Sequence, residues 1–278
     1  DLHSFPTRRS SDLRLLLVYG EKFALYEKGD TSNPALTDSC MILGCCYNKM
    51  LNNIITFSSK TVRFWNIYTG KLEKIYNDLV VISEITAYAI DAEFKIFFLG
   101  DNNGKIKSFY LSSGEFLKEF NSHNDEISYV FTSKKYDYLI SCSKDLCIKI
   151  HKLNSNHNKI LNEVYPCEEN GEIFKEKNLL KNLSLDEEKG LLLITLTNGW
   201  IIDYDIEHFK FLLNLNPNYT ESIRTFRVSN VLDIKEFDVI FVAIENGDKY
   251  FILKESNKYY DQYKVSKFGN FIEDNNQI

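Results

Sequence analysis

The residues of this chain best suited to concerted chemistry are His123, Ser141, Ser143 and Asp145, which fall close together in sequence. A carboxylate that orients an imidazole beside a hydroxyl is how many hydrolases activate a nucleophile. No motif completes that arrangement here, because there is no Ser-centred elbow, Gly-rich phosphate loop, HExxH helix or EF-hand loop. The other chemistry within reach is metal ligation. Cys147 and His151 share strand parity, so their side chains leave one face of a strand, and Cys142 lies across the same hairpin. A zinc site needs a third and a fourth ligand, and the sequence offers no paired CxxC to supply them. We read Cys142, Cys147 and His151 as packed strand residues, and expect no catalytic residue, cofactor or metal.

The remaining cysteines, Cys40, Cys45, Cys46 and Cys167, are unevenly spaced. Several sit in strand patterns where a small buried hydrophobe fits, so reduced thiols in an intracellular, cytoplasmic setting are expected. Net charge is −6, spread over short mixed clusters with no Lys/Arg stripe, which disfavours nucleic acid as a partner. No apolar run reaches the roughly 18–20 residues that span a bilayer, so membrane insertion is not expected. Charge concentrates in one segment, 154–181, where Glu168, Glu169, Glu172, Lys175, Glu176 and Lys177 form a candidate partner-binding loop.

The elements that carry these residues repeat. An apolar run, a short polar turn and a second run ending in an aromatic or in His151 recur five times: 54–67, 96–111, 139–153, 191–206 and 239–254. With Trp65, Phe109, His151, Tyr204 and Phe251 taken as equivalent, the steps are about 44, 42, 53 and 47 residues. A repeat near 40–45 residues is the size of one four-stranded unit, which cannot bury both its faces alone. The pattern places inner strands at 41–47, 85–90, 127–133, 180–185 and 223–228, and the last outer strand at 259–265. The pairs Asn103-Gly104, Asn198-Gly199 and Asn246-Gly247 predict type I′ hairpin turns, since both central positions then need positive φ. Before these units, 15–28 reads as two strands around Gly20-Glu21, with no inner strand ahead of them.

The stretch from His123 to Leu153 carries HNDEISYVF followed by SCSKDLCIKIHKL, and Trp65-Asn66 approximates a Trp-Asp dipeptide. These residues resemble the WD40-repeat family, with degenerate motifs, across most of 15–265. The resemblance implies an all-β propeller of about six visible blades, the first incomplete. It also implies a structural relay joining His123, Ser141 or Ser143, and Asp145, with His151 where the family places Trp. Functionally it implies a non-catalytic scaffold for other proteins, whether alone or in a larger multi-domain chain or complex. An enzyme or a ligand- or metal-binding propeller using its central channel is the alternative.

Residues 1–13, DLHSFPTRRSSDL, lack either hydrophobic period and resemble a translated sequencing-adapter stretch. We expect this leader to be non-native or disordered, the propeller to occupy 14–268 and the tail 269–278 to be frayed. Arg8-Arg9-Ser10-Ser11 as a kinase site is the alternative reading of the leader.

Overall fold

A computed structural model of the chain describes the backbone of residues 14–19, 22–27, 36–37, 42–154, 159–165, 180–197, 200–215, 228–234, 239–244, 249–254 and 263–267. Side chains are described within 42–154, 159–165, 180–197, 200–212 and 240–243. Among these residues every regular element is a strand. The chain divides into two compact units, Asp1–Val130 and Phe131–Ile278.

In the first unit, β1 (Arg14–Tyr19), β2 (Lys22–Glu27) and β3 (Leu36–Thr37) pair in one sheet among the described residues. A four-stranded antiparallel meander follows, of β4 (Ile42–Asn48), β5 (Asn53–Ser58), β6 (Thr61–Asn66) and β7 (Leu72–Asn77). The next comprises β8 (Ile85–Ile90), β9 (Ile96–Asp101), β10 (Ile106–Tyr110) and β11 (Phe116–Phe120). The boundary between units falls within β12 (Ile127–Ser133), which begins a sheet with β13 (Tyr138–Ser143), β14 (Ile148–Lys152) and β15 (Ile160–Val164). The second unit continues with β16 (Leu180–Asp186), β17 (Leu191–Leu196), β18 (Ile201–Asp205) and β19 (Lys210–Leu215). It ends with β20 (Val228–Ile234), β21 (Val239–Ile244), β22 (Lys249–Lys254) and β23 (Tyr263–Lys267).

Burial explains the continuous apolar runs. Every residue of β5 and β17 is buried, whereas β7 is exposed along almost its whole length. A strand covered on both faces reads as a continuous hydrophobic run, and an outer strand does not. In the first unit the covering layer is a core of Ile55, Phe57, Phe64, Ile85, Phe97 and Phe109 between two neighbouring sheets. Phe57 stacks on Tyr88 with ring centroids 4.1 Å apart, and Phe97 on Phe109 at 5.3 Å.

The repeat is also a repeat of defects in pairing. A register shift falls immediately before Trp65, Phe109, His151 and Tyr204, where the third strand meets the outer one. A bulge bends its strand and re-aims the side chains next to it, and all four of these side chains are buried.

Three sequence expectations are corrected. The inner strand of the last sheet is Val228–Ile234 rather than 223–228, of which only Val228 lies within the described residues. The reason is turn length. Inner and second strands are joined through 49–52, 91–95, 134–137 and 187–190 in the other sheets, and through the equally short 235–238 here. The last outer strand runs Tyr263–Lys267, later than 259–265, and pairs Lys267 with Tyr250. Third, Ile252 takes the place assigned to Phe251. The residue opposite the start of the second strand is Asn66, Tyr110, Lys152, Asp205 and then Leu253, so the residue before it is Ile252. A slip of one residue changes the face of the strand.

Asn103-Gly104 does not form a type I′ turn. Gly104 has φ 77°, but Asn103 is not among the described residues of positive φ. Gly104 N–H donates to Asp101 O at 3.2 Å, and Asp101 N–H to Lys105 O at 3.0 Å, the pattern of a type I turn closed by a left-handed residue. The carboxylate of Asp101 favours it, accepting from the N–H groups of Asn103 at 2.9 Å and Lys105 at 2.8 Å. Asn198-Gly199 and Asn246-Gly247 lie outside the described residues.

Candidate interaction surface

The same turn recurs between β13 and β14, and it holds the residues that first suggested chemistry. Leu146 N–H donates to Ser143 O at 3.1 Å and Ser143 N–H to Cys147 O at 3.1 Å, with Leu146 at φ 67° where the preceding sheet has glycine. Asp145 closes the turn through Oδ1, which accepts from Cys147 N–H at 2.9 Å and from the Ser143 hydroxyl. The structure thus brings Ser143 and Asp145 together. Ser141 is buried in β13 with its hydroxyl 3.5 Å from Lys149 O, and His151 is buried in β14 opposite Leu139. His123 is buried in the first unit, its N–H donating to Gly104 O at 2.8 Å. An aromatic and hydroxyl pair that the sequence reading missed stands in that unit: Trp65 Nε1 donates to Thr56 Oγ1 at 2.9 Å. The signal was available, since Thr56 is diagonal to Trp65 across the β5–β6 ladder.

Burial pushes the Cys147 thiol up to about 12, and that of Cys46 likewise to about 12. A thiol that holds its proton so firmly is a poor nucleophile near neutral pH. Cys45, Cys46, Cys142 and Cys147 carry no disulfide. The charged candidates Glu168, Glu169, Glu172, Lys175, Glu176 and Lys177 lie outside the described residues, as do 1–13 and 268–278.

At one end of four of the sheets two turns face each other and are tied by a main-chain hydrogen bond. Ile67, Leu111, Leu153 and Ile206 each donate N–H to the carbonyl of Asn52, Lys95, Asp137 and Gly190, at 3.3, 2.8, 2.9 and 3.0 Å. Each bond joins the turn after the third strand to the turn before the second. Side chains add local caps. Asn66 Oδ1 accepts from Tyr68 and Thr69 N–H at 2.8 and 2.9 Å, and Asp205 Oδ1 from Glu207 and His208 N–H at 2.9 and 3.0 Å. Burial raises the Asp205 pKa, but these bonds and the His208 side chain at 2.8 Å outweigh it and hold the carboxyl below its ordinary value. Tyr204-Asp205 therefore does what Trp65-Asn66 does, a match the sequence reading did not draw.

These rigid turns carry apolar residues into solvent. On the β4–β7 sheet Met50 is 80 %, Leu51 67 % and Tyr68 63 % exposed, and Tyr47 beside them anchors its hydroxyl on Asn52 Oδ1 at 2.8 Å. Between this sheet and the next lies a cavity of about 280 Å³ whose apolar lining is Leu51, Phe64, Phe94 and Leu111, with Glu73 and Lys74 among its polar walls. Lys74 Nζ spans the gap, donating to Ser112 O and to the Tyr76 hydroxyl at 3.0 Å, and lies 5.2 Å from the Tyr76 ring centroid. Tyr76 in turn donates to Leu111 O at 2.8 Å, which fixes the two sheets across the cavity.

No protein-family model matches the chain, and no curated protein sequence matches it. The fold does match solved structures. A chain of the crystal structure of a mitotic checkpoint complex is similar with a TM-score of 0.67 over 93 % of this chain and 74 % of that chain, at 9 % identity. Repeated four-stranded antiparallel meanders with that likeness define an all-β, WD40-like β-propeller fold. Because 1660 chains match in the same way, the likeness identifies the architecture and does not select a function.

Proposed function

We propose that the chain is a WD40-repeat scaffold that binds other proteins and performs no chemical step. The observation that carries this reading is the apolar set Met50, Leu51 and Tyr68, held in solvent on turns whose backbone is clamped. Exposed apolar groups on a rigid support lose little freedom when covered, which is how an interface gains affinity. The similar chain of known structure comes from a multi-protein complex, which agrees with protein partners. The alternative, an enzyme or a ligand- or metal-binding propeller using its central channel, would draw its specificity from groups other than this apolar set.

The reading includes His123, Ser141, Ser143, Asp145 and His151 as structural groups, Glu168 to Lys177 as a secondary contact loop, and a reducing cytoplasmic setting. Affinity capture from cell extract with the full chain tests it. Wild-type protein retains a saturable set of proteins, and Leu51→Asp with Tyr68→Asp depletes that set without unfolding the chain. A wild-type chain that retains no protein saturably sinks the scaffold. Capture unaffected by alanine at 168–177 removes that loop.

A further inference from the structure

Of the charged side chains on the turns around the 280 Å³ cavity, most are already engaged within the chain. Glu73 Oε1 accepts from Asn66 Nδ2 at 2.7 Å, and Lys74 is held by Tyr76 and Ser112. Across the cavity, Glu93 pairs with Lys95 at 2.7 Å, and Asp91 Oδ1 accepts from Lys95 and Ile96 N–H at 2.7 and 2.8 Å. Glu115 accepts from the Ser113 hydroxyl at 3.2 Å. Among the described residues of these turns, that leaves Lys49 and Lys71 with no ion pair or side-chain hydrogen bond. Both are exposed, and both adjoin the apolar set: Lys49 precedes Met50, and Lys71 closes the turn that carries Tyr68.

The bond from Ile67 N–H to Asn52 O holds those two turns side by side. The result is an apolar strip with two unengaged cations on its flank and a hollow at its edge. A cavity of about 150 Å³ is enough to take benzene, so this hollow admits one aromatic or large aliphatic side chain but not a cofactor. The two cations select against basic segments and attract acidic ones in a chain whose net charge is otherwise negative.

Resting on the scaffold reading, we propose that the turns 49–52 and 67–71 with the adjoining cavity bind an acidic peptide segment of a partner protein. One bulky apolar side chain of that segment enters the cavity against Leu51, Phe64, Phe94 and Leu111. Its carboxylates lie over Lys49 and Lys71. The hydrogen bonds that clamp the turns are intact before binding, so the surface is preorganised and the ordering cost falls on the peptide.

The test is fluorescence anisotropy with the full chain and labelled synthetic dodecapeptides: one Phe flanked by Asp and Glu, the same with Lys and Arg, and the acidic peptide with Gly for Phe. The acidic Phe peptide binds, its affinity falls with added salt, and both control peptides bind more weakly by about tenfold or more. Lys49→Glu with Lys71→Glu weakens it by about tenfold, and Leu51→Asp by roughly 30-fold. All three side chains are exposed, so an unchanged near-ultraviolet circular dichroism spectrum certifies the fold. Equal binding of the basic peptide, or affinity unchanged by the double lysine variant, overturns the proposal. Partner capture from extract, run with the same lysine variant, separates the two claims. Retained partners with no acidic-peptide binding remove this subsite and leave the scaffold standing; no partners for wild-type protein removes the scaffold.

Discussion

Leu146 sets two effects against each other. Its left-handed backbone costs a non-glycine residue about 1–2 kcal/mol, while truncating a buried leucine costs about 2–5 kcal/mol. Burial wins, so Leu146→Gly destabilises the chain by roughly 1–3 kcal/mol in urea unfolding even though it places glycine where Gly104 sits in the preceding sheet. A more stable variant would show that the strain outweighs the packing. Asp205 is simpler. Asp205→Ala removes the acceptor of two backbone N–H groups and costs about 1–3 kcal/mol. Asp205→Asn keeps those two bonds, as Asn66 does in its own sheet, and loses about half as much by the same measurement.

At the scale of elements, two sheets of the second unit, β12–β15 and β16–β19, are joined by side chains on their turns. Glu187 Oε1 accepts from the Ser133 hydroxyl at 3.0 Å and Lys135 N–H at 2.8 Å, and Lys135 Nζ reaches Glu188 O at 2.7 Å. Burial raises the Glu187 pKa, but these donors outweigh it and the carboxyl sits below its ordinary 4.5. A lowered folded value means that Glu187 contributes stability above about 4.5 and loses it as pH falls through the folded value. Urea unfolding therefore shows a constant contribution near neutrality and a loss on the acid side. Glu187→Gln is less stable near neutrality and has a shallower acid limb. Parallel acid limbs in the two proteins would refute the tie.

Element positions were largely legible, and for a stated reason. Strands such as β5 and β17 lie buried on both faces, so they appear as unbroken apolar runs that no other element of this length explains. The last inner strand was misplaced because IRTFRV is the more β-prone string, whereas the four-residue connection 235–238 decides in favour of VSNVLDI. Turn geometry was read from Asn-Gly alone, and the carboxylate of Asp101 set it instead. The candidate surface was not legible. Met50 and Leu51 lie between two strand patterns where no sequence signal singled them out, and only the arrangement of neighbouring sheets leaves them in solvent beside a cavity.

For the whole molecule, the repeated meanders separate what holds the fold from what meets a partner. The core residues Ile55, Phe57 and Phe97 are buried completely, whereas Met50 and Tyr68 touch mostly solvent. Substituting polar residues at Met50 and Tyr68 accordingly leaves the unfolding free energy within about 0.5 kcal/mol of wild type while it reduces partner capture. A fall of several kcal/mol would mean that those side chains support the sheets rather than recognise another protein. Among the described residues no helix is long and apolar enough to cross a membrane.

The bond linking the two turns of a sheet runs from amide to carbonyl, and it is made four times with Ile67, Leu111, Leu153 and Ile206 as donors. A clasp of that kind is indifferent to the chemistry hanging from it. The tips at 49–51 and 68–69 can therefore be diversified or grafted with foreign loops of equal length, making this end of the β4–β7 sheet a natural display platform for engineered recognition.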